Sequence, residues 1–460
     1  MHAALSFACL SFVKRDKRAR SHSYLHTQLF IPLSLKTDIR RQPWPTPPPP
    51  PPPGRPRTKR YVHTTSTSPL PPNTKLTTTQ NPSLLLYAPG DARYENRPIP
   101  QPSDPRDVLV RIAYVGCCGS DVHFWRHGGM THKVSPTNPI VMGHEASGTI
   151  FSLASSPSSS HSSSSSSLRP GDRVAIEPGF PCRSCSVCKS GRYNLCRAMR
   201  FAAAPRNGDP AQSTHGTLSK YFRIPADFCY RIPDSVGLDE AVLVEPLAVA
   251  VHAAKLAGVR HGQRVVVFGA GTIGVFCAAV ARAFGAAGVV VVDVLERKLE
   301  FAKRFVEKGG VEGVRPEKEK SPEENARRIV QAAAGISSSS SPSPTDLPGV
   351  DVVLEATGAE ACVQMGIHAL SPGGTFIQVG LGKSLLQFPM VVMSEKELNL
   401  KGCFRYGAGD FETALALMAE GAVPVRRLIS SEVPFERATE AWERTARGEG
   451  IKNLIRGVEG

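Results

Sequence analysis

The chain has 460 residues, a length that predicts two or three domains with buried hydrophobic cores. Hydrophobic residues make up 41% of it and charged residues 21%, which is typical of a soluble globular protein and excludes a fibrous one. The formal net charge is +15, but residues 1–80 hold 13 Lys and Arg against two acids and so carry most of it. The excess of positive charge therefore belongs to an N-terminal extension, and it does not indicate that the rest of the chain binds nucleic acid.

Residues 1–80 form a basic, proline-rich extension that we predict to be disordered. The segment holds 14 of the 40 prolines, including the unbroken run Pro47–Pro53, and has too little apolar surface to offset its ordering entropy. Its apolar stretch Ala3–Val13 precedes the basic residues, which is the reverse of a secretory signal. We therefore expect a cytoplasmic protein, with a mitochondrial location as the alternative if the extension is a presequence.

Residues 81–246 are predicted to form a β-rich first domain with Pro-rich turns. The predicted strands are Ser83–Tyr87, Asp107–Val115, Ala146–Ser152 and Arg173–Ile176. A tract of almost pure serine, Ser152–Ser167, interrupts this domain, and a second tract, Ser337–Pro344, lies in the next one. Because polar tracts of this kind pack against nothing, we predict mobile surface loops without a chemical role.

Residues 247–403 show alternating apolar strands and helices, which predicts a doubly wound parallel sheet of βαβ units. The predicted strands are Arg264–Phe268, Gly288–Asp293, Asp351–Glu355 and Thr375–Val379, with helices over about 272–284 and 296–307. The apolar stretch Val265–Val294 is interrupted by glycines and Arg282, so we predict no membrane span in the chain. Residues 404–460, with a helix near 411–420, are expected to pack back on the first domain.

A glycine-rich turn, Gly269-Ala-Gly271-Thr-Ile273-Gly274, joins the first of these strands to its helix. Glycines at this spacing let the backbone turn tightly and approach a pyrophosphate, whose charge is met by the helix N-terminus. Asp293 ends the second strand, where a carboxylate can bind a ribose 2′-hydroxyl and repel a 2′-phosphate. The pattern predicts an NAD site, with Lys298 as a ribose contact or a plain surface lysine. A simple turn with Asp293 as a helix cap is the alternative.

Four cysteines lie close together in a loop rich in Arg, Lys, Ser and Gly. They are Cys182, Cys185, Cys188 and Cys196. Thiolates at the spacing C-x2-C-x2-C-x7-C can complete a tetrahedral shell around Zn²⁺, and a site with no open position is structural. The spacing favours structural zinc over two disulfides, an iron–sulfur cluster or a nucleic-acid-binding zinc ribbon.

A second set of metal-binding residue types is scattered along the sequence. It consists of Cys118, His144, Glu145 and Glu245. One thiolate, one imidazole and one or two carboxylates would leave a coordination position for substrate, as in a catalytic zinc site. Taken singly, each residue is more often a core or surface group, but the dinucleotide and four-cysteine patterns favour a shared site.

From about Asn81 to Gly460 the sequence resembles the zinc-containing medium-chain dehydrogenases/reductases, in particular their polyol branch. The resemblance is carried by Cys118-Gly-Ser-Asp-Val-His-Phe-Trp125, Gly143-His-Glu-Ala-Ser-Gly148, Gly191-Arg-Tyr-Asn-Leu-Cys196, Pro225-Ala-Asp-Phe-Cys-Tyr230, Val244-Glu-Pro-Leu-Ala-Val249, the glycine-rich turn and Phe404-Arg-Tyr-Gly-Ala-Gly-Asp410. It implies a GroES-like β-rich catalytic domain, a Rossmann NAD-binding domain and a homotetramer. The last stretch favours xylitol, oxidised to D-xylulose, over sorbitol and L-arabinitol.

The resemblance also implies roles for individual residues. Those assigned to the catalytic zinc are Cys118, His144, Glu145 and Glu245, the last directly or through water. Asp121 would orient the zinc-binding histidine, and Ser120 would relay the proton while hydride passes from the polyol to the nicotinamide. The residues assigned to substrate are Phe124, Glu245, Arg405 and Tyr406. Those assigned to the nicotinamide side are Val379, Gly380, Leu381, Cys403, Phe404 and Arg405.

Two positions depart from the family pattern. Cys117 stands where relatives commonly have an aliphatic residue, which places a competing thiol beside Cys118, and Phe124 stands where a Tyr is common. The second departure removes one possible substrate hydrogen bond, so sorbitol and L-arabinitol dehydrogenases remain alternatives. A noncatalytic zinc- or nucleic-acid-binding protein on the same fold is the alternative outside the enzyme class.

Overall fold

The computed structural model describes residues 80–154, 168–206, 213–306, 309–337 and 349–459, all within one compact unit. Nearly all of the N-terminal extension and most of both serine tracts lie outside the described residues, so what we predict for them stays a prediction. In the part of the chain that the structure describes, no helix is long and apolar enough to cross a membrane.

Short strands dominate the first part of the chain. They are β1 (Gln80–Ala88), β2 (Asp91–Pro98), β3 (Asp107–Gly116), β4 (Ile140–Val141), β5 (Glu145–Leu153), β6 (Arg173–Ile176), β7 (Gly179–Phe180), β8 (Arg200–Phe201), β9 (Tyr221–Pro225) and β10 (Cys229–Arg231). The helices here are α1 (Gly119–His127), α2 (Ser186–Lys189), α3 (Leu238–Ala241) and α4 (Val244–Ala257). All four strands predicted in this region are confirmed.

Strands and helices alternate in the second part. The strands are β11 (Arg264–Phe268), β12 (Gly288–Val292), β13 (Val311–Val314), β14 (Val350–Glu355), β15 (Leu370–Gln378), β16 (Asn399–Gly402), β17 (Ile429–Val433) and β18 (Lys452–Arg456). The helices are α5 (Thr272–Ala283), α6 (Glu296–Phe305), α7 (Pro322–Ser337), α8 (Glu360–Ala369), α9 (Met390–Glu395), α10 (Asp410–Ala419) and α11 (Ala438–Ala446). The strands and helices predicted from the periodicity are confirmed, with small shifts at their ends.

The largest sheet joins the first part of the described chain to its C-terminal end. Its strand order is β10-β6-β5-β3-β18-β17, and β9 also pairs with β3. The late strand β18 runs antiparallel to β3, with Ile455 opposite Val115. A smaller sheet, β2-β1-β4, and the ribbon β7-β8 complete the strand pairing of this part. The C-terminal segment thus returns to the first part of the chain, while the domain bounds at 246 and 403 stay a prediction.

A six-stranded parallel sheet in the order β13-β12-β11-β14-β15-β16 forms the second part. This order is that of a doubly wound dinucleotide-binding sheet. All its strands are parallel, and the order in which successive strands are added reverses between β11 and β14, which is called the switch point. Val265 and Val267 pack with α4 and α5, whereas Val266 and Phe268 pack with α7 and α8. Because helices cover both faces, the central strands are continuous apolar runs.

The glycine-rich turn lies at the carboxyl end of β11, beside this switch point. Gly269 has φ +95°, in the left-handed region, and its N–H donates to the carbonyl oxygen of Val292 at 2.7 Å. A Cβ at Gly274 would overlap the Gly269 carbonyl oxygen, so α5 packs on the turn only without a side chain there. At Gly271, the N-cap of α5, an added Cβ would meet nothing within 4 Å. The turn therefore leaves open space at the helix N-terminus.

We expect Gly274→Ala to lower the free energy of unfolding by about 1–3 kcal/mol, because the new methyl group must displace the turn. Gly335→Ala in α7 is the matched control, since an added Cβ there meets nothing. This control should be neutral or stabilise by up to about 1 kcal/mol. Urea unfolding followed by circular dichroism measures both variants, and equal unfolding free energies would contradict the close packing of α5 on the turn.

Candidate active site and metal centres

Cys118, His144 and Glu145 come together at one end of the paired strands β3 and β5. Gly116, the last residue of β3, lies opposite Glu145, the first residue of β5. This pairing brings Cys118, the N-cap of α1, next to His144. One ligand atom from each of the three side chains lies within 4.8 Å of the others. A thiol, an imidazole and a carboxylate form a donor set that fits Zn²⁺ with a coordination position to spare.

Asp121 contacts His144 from behind the three-residue cluster. Its Oδ1 lies 3.5 Å from Nδ1 of His144, and its Oδ2 accepts a hydrogen bond from the Cys118 N–H at 2.9 Å. This contact leaves Nε2 of His144 to face the cluster, as an orienting carboxylate would. Burial lowers the pKa of His144, but the Asp121 carboxylate more than offsets this effect, and the pKa lies well above its usual value.

A buried lysine that the sequence analysis missed pairs with Glu145. Nζ of Lys452, in β18, lies 2.9 and 2.7 Å from the two carboxylate oxygens and donates to the Cys117 carbonyl oxygen at 3.3 Å. Burial lowers the pKa of Lys452, but the Glu145 carboxylate outweighs it and the pKa is raised. Glu145 therefore neighbours both a fixed cation and the Cys118–His144 pair, so a metal at this cluster would share the carboxylate with Lys452.

Cys117 points away from the cluster. Its side chain is 3% exposed, and its Sγ lies 3.6 Å from the carbonyl oxygen of Ala441 in α11. Burial raises the pKa of Cys117 well above its usual value, which keeps the thiol protonated. The competition with Cys118 that the sequence suggests does not occur in this conformation.

Glu245 and Tyr406 lie beside the cluster. Glu245 is in the first turn of α4, and burial raises its pKa to about 7, while His144 acts in the opposite direction. The group of three ligand atoms does not include Glu245. Tyr406 is 2% exposed, and its hydroxyl forms no hydrogen bond of ordinary geometry among the described residues, although its interaction with the Glu245 carboxylate lowers the pKa of that group. Burial, followed by the Glu245 carboxylate, raises the pKa of Tyr406 well above its usual value.

Arg405 stacks on two aromatic rings. Its guanidinium carbon lies 3.8 Å from the ring centroid of Phe201 and 4.6 Å from that of Phe404. The Phe201 ring, which the sequence analysis missed, also lies 5.7 Å from the His144 ring. Burial lowers the pKa of Arg405. Arg405 is thereby held close to the Cys118–His144–Glu145 cluster, although it follows β16, the last strand of the parallel sheet.

The other two residues assigned to the reaction lie on α1. Ser120 is the second residue of the helix and is half-buried. Phe124, one turn later, packs against the core of the first part of the chain. Both therefore belong to the helix whose N-cap is Cys118.

The residues assigned to the cofactor gather at the carboxyl edge of the parallel sheet. The Asp293 carboxylate follows β12 and accepts hydrogen bonds from the N–H groups of Ala270 at 2.8 Å and Leu295 at 2.9 Å. It is thereby tied to the glycine-rich turn. Ile273 and Lys298 are half-buried in the first turns of α5 and α6.

The nicotinamide-side residues follow the neighbouring strands β15 and β16. The N–H groups of Val379 and Gly380 both donate to the carbonyl oxygen of Glu355 at 2.8 Å. The N–H of Cys403 donates to the carbonyl oxygen of Gln378, also at 2.8 Å. Of the remaining residues in this set, Leu381 and Phe404 are exposed and Arg405 is stacked as described. In doubly wound sheets this edge is where dinucleotides bind.

The four cysteines of the loop between β7 and β8 cluster tightly. Their Sγ atoms all lie within 4.8 Å of one another, and the shortest separation, from Cys185 to Cys188, is 3.4 Å. These separations exceed a disulfide bond length of about 2.05 Å, and every described cysteine is free. Backbone N–H groups of Ser184 and Cys185 lower the pKa of Cys182 to about 6. Four thiols so placed fit a closed tetrahedral Zn²⁺ site and do not fit two disulfides.

Two family models match the chain. The model described as "Alcohol dehydrogenase GroES-like domain" matches residues 104–234, and the one described as "Zinc-binding dehydrogenase" matches residues 272–420. D-xylulose reductase A of Aspergillus oryzae is 46% identical over 383 residues, which cover 83% of this chain and 98% of that protein. The alignment with this relative covers both parts of the fold.

Solved structures show the same architecture. An Escherichia coli oxidoreductase/dehydrogenase of unknown specificity has a TM-score of 0.71 and 28% identity, and the match covers 83% of this chain and 100% of that one. A putative zinc-binding dehydrogenase from Sinorhizobium meliloti, solved with NADP bound, has a TM-score of 0.67 and 26% identity, with 82% and 99% covered.

The fold and the matching family models are those of a zinc-binding dehydrogenase, and the two side-chain clusters fit zinc. The chain belongs to the zinc-containing medium-chain dehydrogenase/reductase family, in the branch that contains the D-xylulose reductases. The predicted family and the predicted fold class, a GroES-like β-rich domain with a Rossmann domain, are confirmed. The protein is therefore an enzyme that works with zinc and a nicotinamide cofactor.

We expect Lys452→Met to lower the free energy of unfolding by about 3 kcal/mol, because it leaves the Glu145 carboxylate buried without its cation. Arg447→Met is the matched control, since Arg447 pairs with Glu449 on the surface, where an ion pair contributes about 0–1 kcal/mol. Urea unfolding of the full-length protein measures both losses. The double variant Glu145→Gln, Lys452→Met should recover part of the stability, and equal losses in the two single variants would contradict this account.

Proposed function

We propose that the chain is an NAD-dependent zinc polyol dehydrogenase that oxidises xylitol to D-xylulose. The observation that carries the proposal is the Cys118–His144–Glu145 cluster, with the buried Tyr406 hydroxyl and the Glu245 carboxylate beside it. A buried hydroxyl and a carboxylate next to this cluster favour a ligand that brings hydroxyl groups of its own. The name of the Aspergillus oryzae relative, D-xylulose reductase A, supports the same substrate pair.

In the proposed active site, Cys118, His144 and Glu145 hold the catalytic zinc. When bound, Zn²⁺ supplies Lewis acidity that lowers the pKa of a substrate hydroxyl. Asp121 keeps His144 in the ring orientation that presents Nε2 to the cluster. Burial raises the pKa of Glu245, so its carboxylate is suited to take up or release a proton. Because Glu245 lies outside the three-atom group, we assign it to the zinc through water.

The proton and substrate contacts come from α1 and from the segment after β16. Ser120, next to the Cys118 cap, would pass the proton outward through its hydroxyl. The Arg405 guanidinium and the Tyr406 hydroxyl would hydrogen-bond the hydroxyl groups of the polyol that do not react. Phe124 would cover its carbon chain. The same residues would accept sorbitol or L-arabinitol, so these two dehydrogenase activities are the alternatives within the class.

The cofactor assignment depends on the carboxyl edge of the parallel sheet. The open space at Gly271 and the α5 N-terminus would receive the pyrophosphate. The Asp293 carboxylate, fixed by two backbone N–H groups, would accept from the ribose hydroxyls and repel a 2′-phosphate, which favours NAD over NADP. Val379 to Leu381 and Cys403 to Arg405 would line the nicotinamide.

The four-cysteine cluster would hold a second, structural zinc, which gives two zinc ions per chain. We also propose a homotetramer in the cytoplasm. The edge strand of the described parallel sheet, β16, and the segment before it expose several large apolar side chains. These are Leu385, Met390, Val391 and Leu400. A strand edge bordered by apolar side chains is suited to pairing with a second copy of the chain.

Turnover by the full-length protein, followed by NADH absorbance, tests the proposal directly. We expect xylitol to be oxidised faster than sorbitol or L-arabinitol, with NAD preferred over NADP, and about two zinc ions per chain. Cys182→Ser should lower the zinc content, and Cys118→Ser should abolish turnover. Zinc binding without turnover of any polyol would refute the substrate assignment, and a different leading polyol would select one of the alternatives.

Asp293→Asn tests the cofactor assignment. Loss of the carboxylate charge should raise the KM for NAD about tenfold or more, since a hydrogen bond to a charged group contributes about 1.5–3 kcal/mol. The variant should also prefer NAD over NADP less strongly than the wild type, because the carboxylate that repels a 2′-phosphate is lost. Glu296→Gln, an exposed acid at the start of α6, is the matched control and should leave both KM values unchanged. An unchanged KM for NAD in Asp293→Asn would contradict the ribose contact.

A further inference from the structure

We propose that Asn194, in the four-cysteine loop, is a positioning residue for the substrate contact Arg405. Asn194 lies between Cys188 and Cys196 and is 6% exposed. Its Nδ2 donates to the carbonyl oxygen of Phe404 at 2.9 Å, across 210 residues of chain. The inference rests on the proposed function and extends it, because it makes the loop around the structural zinc a part of the substrate site.

The backbone of Arg405 needs external support. Its φ is +58°, in the left-handed region that residues with a side chain seldom adopt. The angle φ of Arg405 describes rotation about its N–Cα bond, and this rotation is set by the plane of the peptide that joins Phe404 to Arg405. The hydrogen bond from Asn194 holds the carbonyl oxygen of that same peptide. Asn194 therefore fixes the peptide plane on which the direction of the Arg405 side chain depends.

The guanidinium of Arg405 receives a second restraint from the strand that follows the loop. Phe201 is the last residue of β8, which pairs with β7 across the base of the four-cysteine loop. The Phe201 ring lies 3.8 Å from the guanidinium carbon of Arg405 and 5.7 Å from the His144 ring. The loop and its flanking strand thus hold Arg405 at a set distance from the catalytic cluster.

The turn that carries Asn194 is itself anchored. The hydroxyl of Tyr193 donates to Glu177 at 2.6 Å, and that of Tyr230 donates to the other carboxylate oxygen at 2.7 Å. Glu177 is fully buried, and burial raises its pKa to about 7. Tyr230 and Tyr406 both pack on the Phe411 ring, at 5.1 and 4.9 Å between centroids. Asn194 therefore belongs to a turn that is fixed by buried hydrogen bonds, and from there it can hold the Phe404 carbonyl in place.

Steady-state kinetics of Asn194→Ala and Asn194→Asp in the full-length protein test the proposal. We expect Asn194→Ala to raise the KM for xylitol roughly three- to tenfold, as loss of one hydrogen bond predicts. Asn194→Asp should raise it further, because a carboxylate would face the Phe404 carbonyl oxygen. The KM for NAD and the zinc content should stay unchanged. Ser190→Ala is the control, since this exposed side chain of the same loop donates a local hydrogen bond to the Val187 carbonyl oxygen.

Hydrogen–deuterium exchange of the peptide spanning residues 404–410 gives a readout that does not depend on activity. We expect faster exchange in Asn194→Ala than in the wild type or Ser190→Ala. An unchanged KM for xylitol together with unchanged exchange would overturn the proposal. A parallel rise of both KM values with loss of zinc would also overturn it, since this is the signature of a merely structural role. Absence of polyol turnover in the wild type would instead refute the proposed function, and the exchange measurement would still report on Asn194.

Discussion

The buried ion pair of Glu145 and Lys452 ties the Cys118–His144–Glu145 cluster to β18, the last described strand of the chain. Moving two charges out of water costs several kcal/mol per ion, which only a complete set of partners offsets. Lys452 has three N–H groups, and its three acceptors are both Glu145 oxygens and the Cys117 carbonyl. This arrangement requires β18 to lie beside β3. The position of β18 therefore sets both the turn that carries Cys118 and the carboxylate next to it, so the active site depends on the return of the C-terminal segment.

The segment proposed to bind substrate is held by α4, the helix whose first turn contains Glu245. Asp410 is 1% exposed and accepts a hydrogen bond from the Gly407 N–H at 2.6 Å. It also lies 2.8 Å from Nδ1 of His252 and 2.9 Å from Nζ of Lys255, both on α4. A single helix thus positions Glu245 at one end and the segment after Arg405 along its length. Together with the four-cysteine loop on the other side, α4 leaves this segment little freedom to move.

Local patterns in the sequence predicted the features that need only local contacts. The apolar strand before Gly269 and the four-cysteine spacing are examples, because a strand buried on both faces is a continuous apolar run and a compact metal loop takes all its ligands from one short stretch. The cluster around His144 depends on the pairing of β3 with β5. Its members are far apart in the sequence, so their residue types alone do not decide whether they share a metal, and the family resemblance does. Asn194 and Phe201 act through partners about 200 residues away, which no spacing indicates. The sequence shows only one sign of the role of Lys452, a lysine at the start of a strand that continues with the apolar pair Leu454 and Ile455.

The same burial that shapes the site accounts for a preference for polyols over simple alcohols under the proposed function. A buried hydroxyl left without a hydrogen bond of good geometry costs about 1–3 kcal/mol, and the Tyr406 hydroxyl forms none among the described residues. A monohydric alcohol has one hydroxyl, which the reaction at the Cys118–His144–Glu145 cluster requires, so the Tyr406 hydroxyl would stay unpaired. A polyol brings further hydroxyl groups to Tyr406 and Arg405. Discrimination then arises from hydrogen bonds that only the polyol supplies, and it needs no steric exclusion of the smaller alcohol.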